Sequence, residues 1–223
     1  MDYNGLKLRL RAVGSLIVAL GAVDEQSLVD FASHFGEPAF MRGRPARPTI
    51  TEIRPRPNFD PVSFAGADEF QLHTDLSWLP DEQIPRLMFL LCVRPEGAGG
   101  GASLQVDGWA ALGLLTEAQR LELETTSVRM RSHRDAPSVT YRDAPLVKAT
   151  DAGPWIRFRR DLLEGDVPPA VAAFGSAADT LASRFYLKRG EVLVMDNTRM
   201  LHGREPLKAG LASDRLLLRM HVT

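Results

Sequence analysis

The longest uninterrupted apolar run in this 223-residue chain extends only over positions 87–93, between Arg86 and Arg94. A bilayer-spanning helix needs about 20 apolar residues, so this run cannot cross a membrane. A short apolar run with polar ends is instead typical of a buried strand. Similar short segments recur along the chain between turns that contain Gly or Pro. The sequence therefore predicts a mainly β protein.

The bulk composition is that of a soluble globular protein, with 44% hydrophobic and 25% charged residues. A net charge of −1 argues against a basic surface for nucleic acid and against a polybasic membrane anchor. Cys92 is the single cysteine and lies in an apolar run, so we expect a buried, unreactive thiol. The N-terminus has no signal-peptide pattern, and the length suits one domain spanning 1–223. These features predict a cytoplasmic protein.

Local patterns predict short strands interrupted by a few helices. Leucines at 6, 8 and 10 alternate with charged residues, which predicts a strand. Asp24 is a good N-cap for a helix that ends at Gly36, and Thr116 with Gln119 forms a capping box inside a helical stretch at 109–124. A further helix is expected over 168–185. The other predicted strands are 15–20, 87–93, 103–106, 128–131, 139–141, 155–158, 191–195 and 215–222. This order suggests a β-barrel or sandwich with helices outside.

The first candidate site is a His-x-Asp pair at the end of a predicted strand. Side chains two apart on a strand point to the same face, so His73 and Asp75 can enter one site. Imidazole with carboxylate suits a divalent ion such as Fe(II). The pair alone is weak evidence, because a surface ion pair has the same pattern. Gln71 shares this face and is a candidate substrate contact.

A second histidine strengthens the metal hypothesis. His202 follows the apolar strand 191–195 and precedes a glycine. Two histidines and one carboxylate on one face of an octahedral ion leave three positions open. A structural zinc site would instead need four ligands, usually with thiolates, and the chain has one cysteine.

The C-terminal segment 215–222 has two different faces if it is a strand. Leu216, Leu218 and Met220 form an apolar face that must pack on a core. Arg215 and Arg219 lie on the other face, which looks either into solvent or into a cavity that holds an anion. His34, on a predicted helix, and His221, near the chain end, are expected at the surface.

Together these stretches resemble the taurine dioxygenase-like (TauD/TfdA) family of Fe(II)/2-oxoglutarate-dependent oxygenases. In motif style they are nearest to its gamma-butyrobetaine hydroxylase- and clavaminate synthase-like members. The matching segments are VALGAVDEQSLVDFASHFGEP near the N-terminus, FQLHTDLSW at 70–78, GGGASLQVDGW at 99–109, KRGEVLVMDNTRMLHGREPL at 188–207 and RLLLRMHV at 215–222. The resemblance implies a double-stranded β-helix (jelly-roll, cupin-like) core, with flanking helices and the metal at one open end.

The resemblance also implies roles for individual residues. His73, Asp75 and His202 match the iron ligands, and Arg215 matches the arginine that pairs with the distal carboxylate of 2-oxoglutarate. Ser103 stands where many relatives have a threonine that binds the same carboxylate. The remaining implied contacts are Arg219 near the co-substrate or substrate, and Asn197 and Arg199 in supporting positions behind the ligands.

The implied activity is hydroxylation or desaturation of a small molecule with dioxygen, releasing succinate and CO2 from 2-oxoglutarate. The presence of Asp75 favours these oxidations over halogenation, because related halogenases carry a small residue there. An amino acid or related carboxylate is the favoured substrate. We expect no nucleic-acid or membrane partner, while the Leu-rich strand would allow a homodimer.

Two alternatives remain at this stage. The first is a catalytically inactive jelly-roll protein that binds a metal or ligand. The second is a zinc hydrolase that uses His73, Asp75, His202 and a water. The zinc hydrolase leaves Arg215 and Ser103 without a role.

Overall fold

The computed structural model describes residues 1–39, 50–57, 64–97, 99–133 and 138–223. The helices are α1 (Tyr3–Val13), α2 (Glu25–Ser33), α3 (Gly108–Gly113), α4 (Glu117–Thr125) and α5 (Pro169–Leu181). The strands are β1 (Ser15–Ala19), β2 (Thr51–Ile53), β3 (Phe70–His73), β4 (Leu87–Arg94), β5 (Ser103–Asp107), β6 (Val128–Arg131), β7 (Tyr141–Ala144), β8 (Val147–Lys148), β9 (Trp155–Ile156), β10 (Leu163–Glu164), β11 (Ser183–Phe185), β12 (Glu191–Asp196), β13 (Met200–Arg204) and β14 (Leu216–Val222).

Two antiparallel sheets form the core. The larger sheet has the strand order β1-β12-β4-β14-β2, and the smaller sheet has the order β11-β5-β13-β3. Neighbouring strands in both sheets are far apart in sequence, as the crossing connections of a jelly roll require. The predicted mainly β fold with flanking helices is confirmed.

Both faces of the larger sheet are apolar, because each face packs in a different buried cluster. Phe89, Val194 and Met220 point outward and pack against α1 and α2 in one cluster of buried residues. Met88 and Leu193 point inward and belong to a separate cluster inside the jelly roll. The alternation predicted for 215–222 therefore places its arginine face toward the interior of the protein.

The outer face of the smaller sheet is covered by α3, α4 and α5. Leu123 of α4 and Phe174 of α5 belong to a buried cluster with Val106 and Leu201 of the sheet. The predicted capping box opens α4, with Thr116 and Gln119 bonded to each other's backbone N–H. The helices thus fix the strands that carry two of the candidate site residues.

The prediction of a strand at Leu6, Leu8 and Leu10 is wrong, because these residues lie in α1. Asp2 caps the N-terminus by accepting from the Gly5 N–H at 3.0 Å, and Gly14 ends the helix in the left-handed region. Leu10 is buried whereas Leu8 is 66% exposed, as expected for a helix but not for a half-buried strand. The helix start and stop signals outweigh the alternation.

The predicted helix over 168–185 is too long at its C-terminal end. Helix α5 ends at Leu181, and Ser183–Phe185 forms β11, which pairs with β5. Pairing along an open sheet edge supplies backbone hydrogen bonds that a further helical turn would have to replace. The predicted strand at 139–141 is displaced toward Tyr141–Ala144.

Cys92 is fully buried, and its thiol donates to the Leu187 carbonyl oxygen at 3.5 Å. Burial raises the pKa of this thiol to about 11, so the thiolate is scarce near neutral pH. In the described part of the chain, no helix has the length and hydropathy of a membrane span. The expectation of a single domain stays a prediction.

Candidate functional site

Backbone pairing brings the two candidate histidines together. His202 of β13 lies directly opposite His73 of β3, and their ring centroids are 4.3 Å apart. Asp75 follows β3 by two residues. Its Oδ1 lies 3.5 Å from His73 Nε2 and 3.8 Å from His202 Nε2. One potential ligand atom from each of the three residues lies within 4.8 Å of the others.

Both imidazoles are in a form that can bind a metal ion. His73 Nδ1 lies 2.8 Å from the Gln71 carbonyl oxygen, which can only accept, so Nδ1 carries the proton. In the neutral form of this ring Nε2 carries the lone pair, and among the described residues this buried atom makes no hydrogen bond. Burial, reinforced by His73, holds the pKa of His202 well below its ordinary value and keeps that ring neutral. The Gln71 side chain itself is exposed.

The Asp75 carboxylate is held in its charged form by cationic and hydrogen-bonding neighbours. Burial alone would raise its pKa, but Arg219, His221, His73 and His202 together hold the pKa well below its ordinary value. Arg219 Nη1 donates to both carboxylate oxygens, at 3.2 and 3.1 Å. His221 Nε2 contacts only Oδ2, at 2.9 Å. The acid is therefore ionised, as a metal ligand must be.

Asn197 fixes the backbone of the same ligand. Its Oδ1 accepts from the Asp75 N–H at 2.7 Å, and its Nδ2 donates to the Asp75 and Pro85 carbonyl oxygens, both at 3.0 Å. The residue is completely buried. Its side-chain amide therefore satisfies three buried backbone groups that no solvent molecule reaches.

Replacing Asn197 with alanine should lower the free energy of unfolding by about 2–5 kcal/mol, because it leaves these Asp75 and Pro85 groups buried without partners. Urea unfolding of the metal-free protein measures the effect. Asn4→Ala, on the exposed side of α1, is the matched control and should change stability by less than about 0.5 kcal/mol. Equal effects of the two substitutions would contradict the structural role assigned to Asn197.

Arg199 supports the site from further away. Its Nε donates to Asp107 Oδ1 at 3.0 Å, and its Nη1 donates to the carbonyl oxygens of Arg11 and Ala12, each at 3.2 Å. The guanidinium also lies over the Trp109 ring, 4.1 Å from its centroid. Arg199 thus joins the end of α1 to the junction of β5 and α3.

A cavity between the two sheets opens beside His202. Its empty space of about 510 Å³ includes open solvent at the mouth, and the part that can enclose a ligand is small, about 50 Å³. Ser103, Arg204, Arg215 and Arg219 contribute polar groups to its wall. Its apolar wall includes Phe64, Phe70, Met88, Leu90, Leu193 and Leu217.

Arg215 is the most unusual of these polar residues. It is only 6% exposed, yet its guanidinium makes no hydrogen bond or ion pair with any described residue. Burial lowers its pKa to about 10, which still leaves it protonated at neutral pH. Glu96 contributes a weaker electrostatic attraction, but a buried cation without a hydrogen-bonded partner is energetically costly, and an anion in the cavity would lower that cost.

Arg204 is a cavity residue to which the sequence analysis gave no role. It follows His202 by two residues on β13, and its guanidinium donates to the carbonyl oxygens of Gly66, at 2.8 Å, and Asp68. Burial lowers its pKa to about 10. Unlike Arg215, it is occupied in holding the segment that leads into β3. Its position two residues after His202 was the sequence signal that could have identified it as a residue of the same site.

His221 was expected at the surface, and that prediction is wrong. Its side chain is 13% exposed and contacts Asp75. It lies on the same strand face as Arg215 and Arg219, so its position near the chain end was less informative than the alternation. The proposed substrate contacts at Gln71 and Arg219 stay predictions.

Comparison with known proteins gives a family and a set of similar folds. The family model described as "Taurine catabolism dioxygenase TauD, TfdA family" matches residues 10–221. The crystal structure of asparagine oxygenase with Fe(II), 2S,3S-3-hydroxyasparagine and succinate is 20% identical, with a TM-score of 0.79, and the match covers 99% of this chain and 77% of that one.

Two further structures have comparable identities and TM-scores. The non-heme iron oxygenase OrfP, in complex with Fe and alpha-ketoglutaric acid, is 19% identical with a TM-score of 0.78, covering 99% of this chain and 78% of that one. PvcB, an Fe, alpha-ketoglutarate dependent oxygenase from an isonitrile synthetic pathway, is 22% identical with a TM-score of 0.72, covering 100% and 80%. At these identities the structures establish a common fold.

Proposed function

Because the chain belongs to the TauD/TfdA dioxygenase family, we propose that it oxidises a small carboxylate-bearing molecule at the site formed by His73, Asp75, His202 and Arg215. The family's activity is that of an Fe(II)- and 2-oxoglutarate-dependent oxidoreductase. Substrate, dioxygen and 2-oxoglutarate would be converted into hydroxylated product, succinate and CO2, or into desaturated product, water, succinate and CO2. The roles proposed for individual residues rest on the contacts that they make in this chain.

The donor set fits Fe(II). Two imidazoles and one carboxylate converge within 4.8 Å, and His73 Nε2 is a buried nitrogen without a hydrogen bond among the described residues. Three ligands leave open positions for a co-substrate and dioxygen. Bound Fe(II) would supply the redox chemistry that joins oxidation of 2-oxoglutarate to oxidation of the substrate. The protein would hold the ion and place both organic molecules beside it.

The observation that carries the proposal is the unpaired, buried guanidinium of Arg215. The distal carboxylate of 2-oxoglutarate would form a charge-assisted pair with it, and Ser103 lines the same cavity with a hydroxyl that can donate. The apolar residues of the cavity wall would exclude water from this pair and so strengthen it. A zinc hydrolase gives this charge no partner, whereas an inactive binding protein would pair it with a bound anion, so turnover must separate that alternative from the oxygenase.

For the substrate we propose an amino acid or a closely related small acid. Two of the similar structures contain such molecules, hydroxyasparagine in asparagine oxygenase and (3S)-hydroxy-L-Arg in OrfP. In this chain the same class suits a small cavity whose wall is largely apolar and whose charged groups are the arginines Arg204, Arg215 and Arg219. Arg219 and Gln71 are the proposed contacts, although Arg219 already bonds Asp75.

The test measures succinate formed from 2-oxoglutarate by purified protein with Fe(II), ascorbate and air. The substrate panel contains the proteinogenic amino acids and small mono- and dicarboxylates, and product masses identify the oxidised compound. We expect iron-dependent succinate formation that one class of panel members stimulates. Absence of succinate with every panel member would favour an inactive binding protein, while tightly bound zinc with hydrolytic activity would favour the hydrolase.

A further inference from the structure

We propose that His221 is a positioning residue that turns the Asp75 carboxylate so that Oδ1, and not Oδ2, faces the two histidine ligands. The inference rests on the proposed metal site, and it assigns a role to a residue outside the metal-ligand set. It depends on how the contacts to Asp75 divide between the two oxygens.

The two carboxylate oxygens of Asp75 have different neighbours. Oδ1 lies nearest to the imidazoles, 3.5 Å from His73 Nε2 and 3.8 Å from His202 Nε2. Oδ2 lies 2.9 Å from His221 Nε2. An ionised carboxylate can only accept, so His221 donates through Nε2. Oδ1 thus faces the two histidines, whereas Oδ2 carries the bond from His221.

Apart from the two proposed histidine ligands, no other described contact to the carboxylate makes this distinction. Arg219 Nη1 donates to both oxygens at nearly equal distances, 3.2 and 3.1 Å, so it holds the charge in place but does not select an oxygen. Asn197 bonds the backbone N–H and carbonyl of Asp75, which leaves rotation of the side chain free. The bond from His221 is the one that fixes this rotation.

The position of His221 in the fold suits this role. It lies on β14 in the larger sheet, where it is paired with Met88 of β4, whereas Asp75 follows β3 in the smaller sheet. The His221 imidazole therefore reaches Asp75 from the opposite sheet, on a strand that does not carry any of the three proposed ligands. The imidazole ring of His221 is rigid, and its strand is hydrogen-bonded on both sides. The side chain therefore loses little conformational freedom when it holds the carboxylate.

The test compares metal binding by three variants of the full chain. His221→Leu removes the donor, His221→Gln keeps an N–H donor at similar reach, and His34→Leu is the control, because His34 is an exposed imidazole stacked on Tyr3. Anaerobic calorimetric titration with Fe(II), and with Co(II) as a stable substitute, gives the dissociation constants. Thermal unfolding of the metal-free proteins shows whether each variant folds.

We expect His221→Leu to raise the dissociation constant roughly 10- to 100-fold, as loss of a residue that orients a metal ligand usually does. His221→Gln should recover most of that loss, and His34→Leu should match the wild type. Wild-type affinity in His221→Leu would overturn the inference. So would equal weakening in the Leu and Gln variants, because the ring itself would then be needed. A wild-type protein that binds neither ion would instead overturn the metal site.

Discussion

Replacing His202 with alanine should abolish 2-oxoglutarate turnover while the protein stays folded. The change removes one of three proposed ligands from a site that has no described fourth donor to take its place. Succinate formation should fall by at least about 1,000-fold, which corresponds to roughly 4 kcal/mol of lost barrier reduction. Metal titration should show a parallel loss of affinity. His202 is buried and neutral, so its removal does not leave an unpaired charge in the apo protein.

His34→Ala is the matched control for this variant. That histidine is the exposed C-cap residue of α2 and stacks on Tyr3 with ring centroids 3.7 Å apart. Its removal should leave both succinate formation and metal affinity unchanged. Succinate formation by His202→Ala above one tenth of the wild-type rate, with the fold intact, would show that His202 is not a ligand.

Replacing Arg215 with methionine should weaken 2-oxoglutarate binding and stabilise the metal-free protein at the same time. Losing one partner of a buried, hydrogen-bonded charge pair costs about 2–5 kcal/mol, so the KM for 2-oxoglutarate should rise roughly 30-fold or more. Without co-substrate, however, the guanidinium is buried and unpaired. The lowering of its pKa from 12.5 to about 10 corresponds to a cost of roughly 3 kcal/mol for keeping it charged.

Arg215→Met is expected to weaken 2-oxoglutarate binding but to stabilise the apo protein, so measuring both quantities tests the role of Arg215. Succinate kinetics give the KM, and urea unfolding of the apo protein gives the stability change. Arg184→Met is the control, because Arg184 is 63% exposed and paired with Glu205 at 2.7 Å. It should alter neither quantity appreciably. A raised KM with a less stable apo protein would mean that Arg215 has a structural partner and does not wait for an anion.

Two local patterns carried most of the site prediction. The spacing of two correctly predicted that His73 and Asp75 share a site, although β3 ends at His73 and the Asn197 bonds hold Asp75 in the turn that follows. The period of two also separates Arg219 from the apolar face of β14. Both patterns depend on a few neighbouring residues, so they can be recognised before the fold is known. The proximity of His202 to His73 is different, because it depends on the pairing of β13 with β3 and came from the family resemblance.

The failures have a common physical origin. Leu6, Leu8 and Leu10 fit a strand pattern, but Tyr3, Leu6 and Leu10 also fit one face of a helix, and the capping groups Asp2 and Gly14 decide between the two. His221 was judged by its distance from the chain end, although what decides its burial is the opposite sheet. Arg204 was missed because its partners, the carbonyl oxygens of Gly66 and Asp68, are supplied by a loop whose path the sequence does not specify.

The direct opposition of His202 and His73 has a consequence for how the smaller sheet is assembled. β3 is an edge strand, paired on one side with β13, and the ladder between them is irregular after His202. A slip of β3 by one residue would turn His73 to the other face of the sheet and separate it from His202. A metal ion bound by both rings would therefore crosslink the edge strand in a single register. It would stabilise that pairing over every slipped alternative.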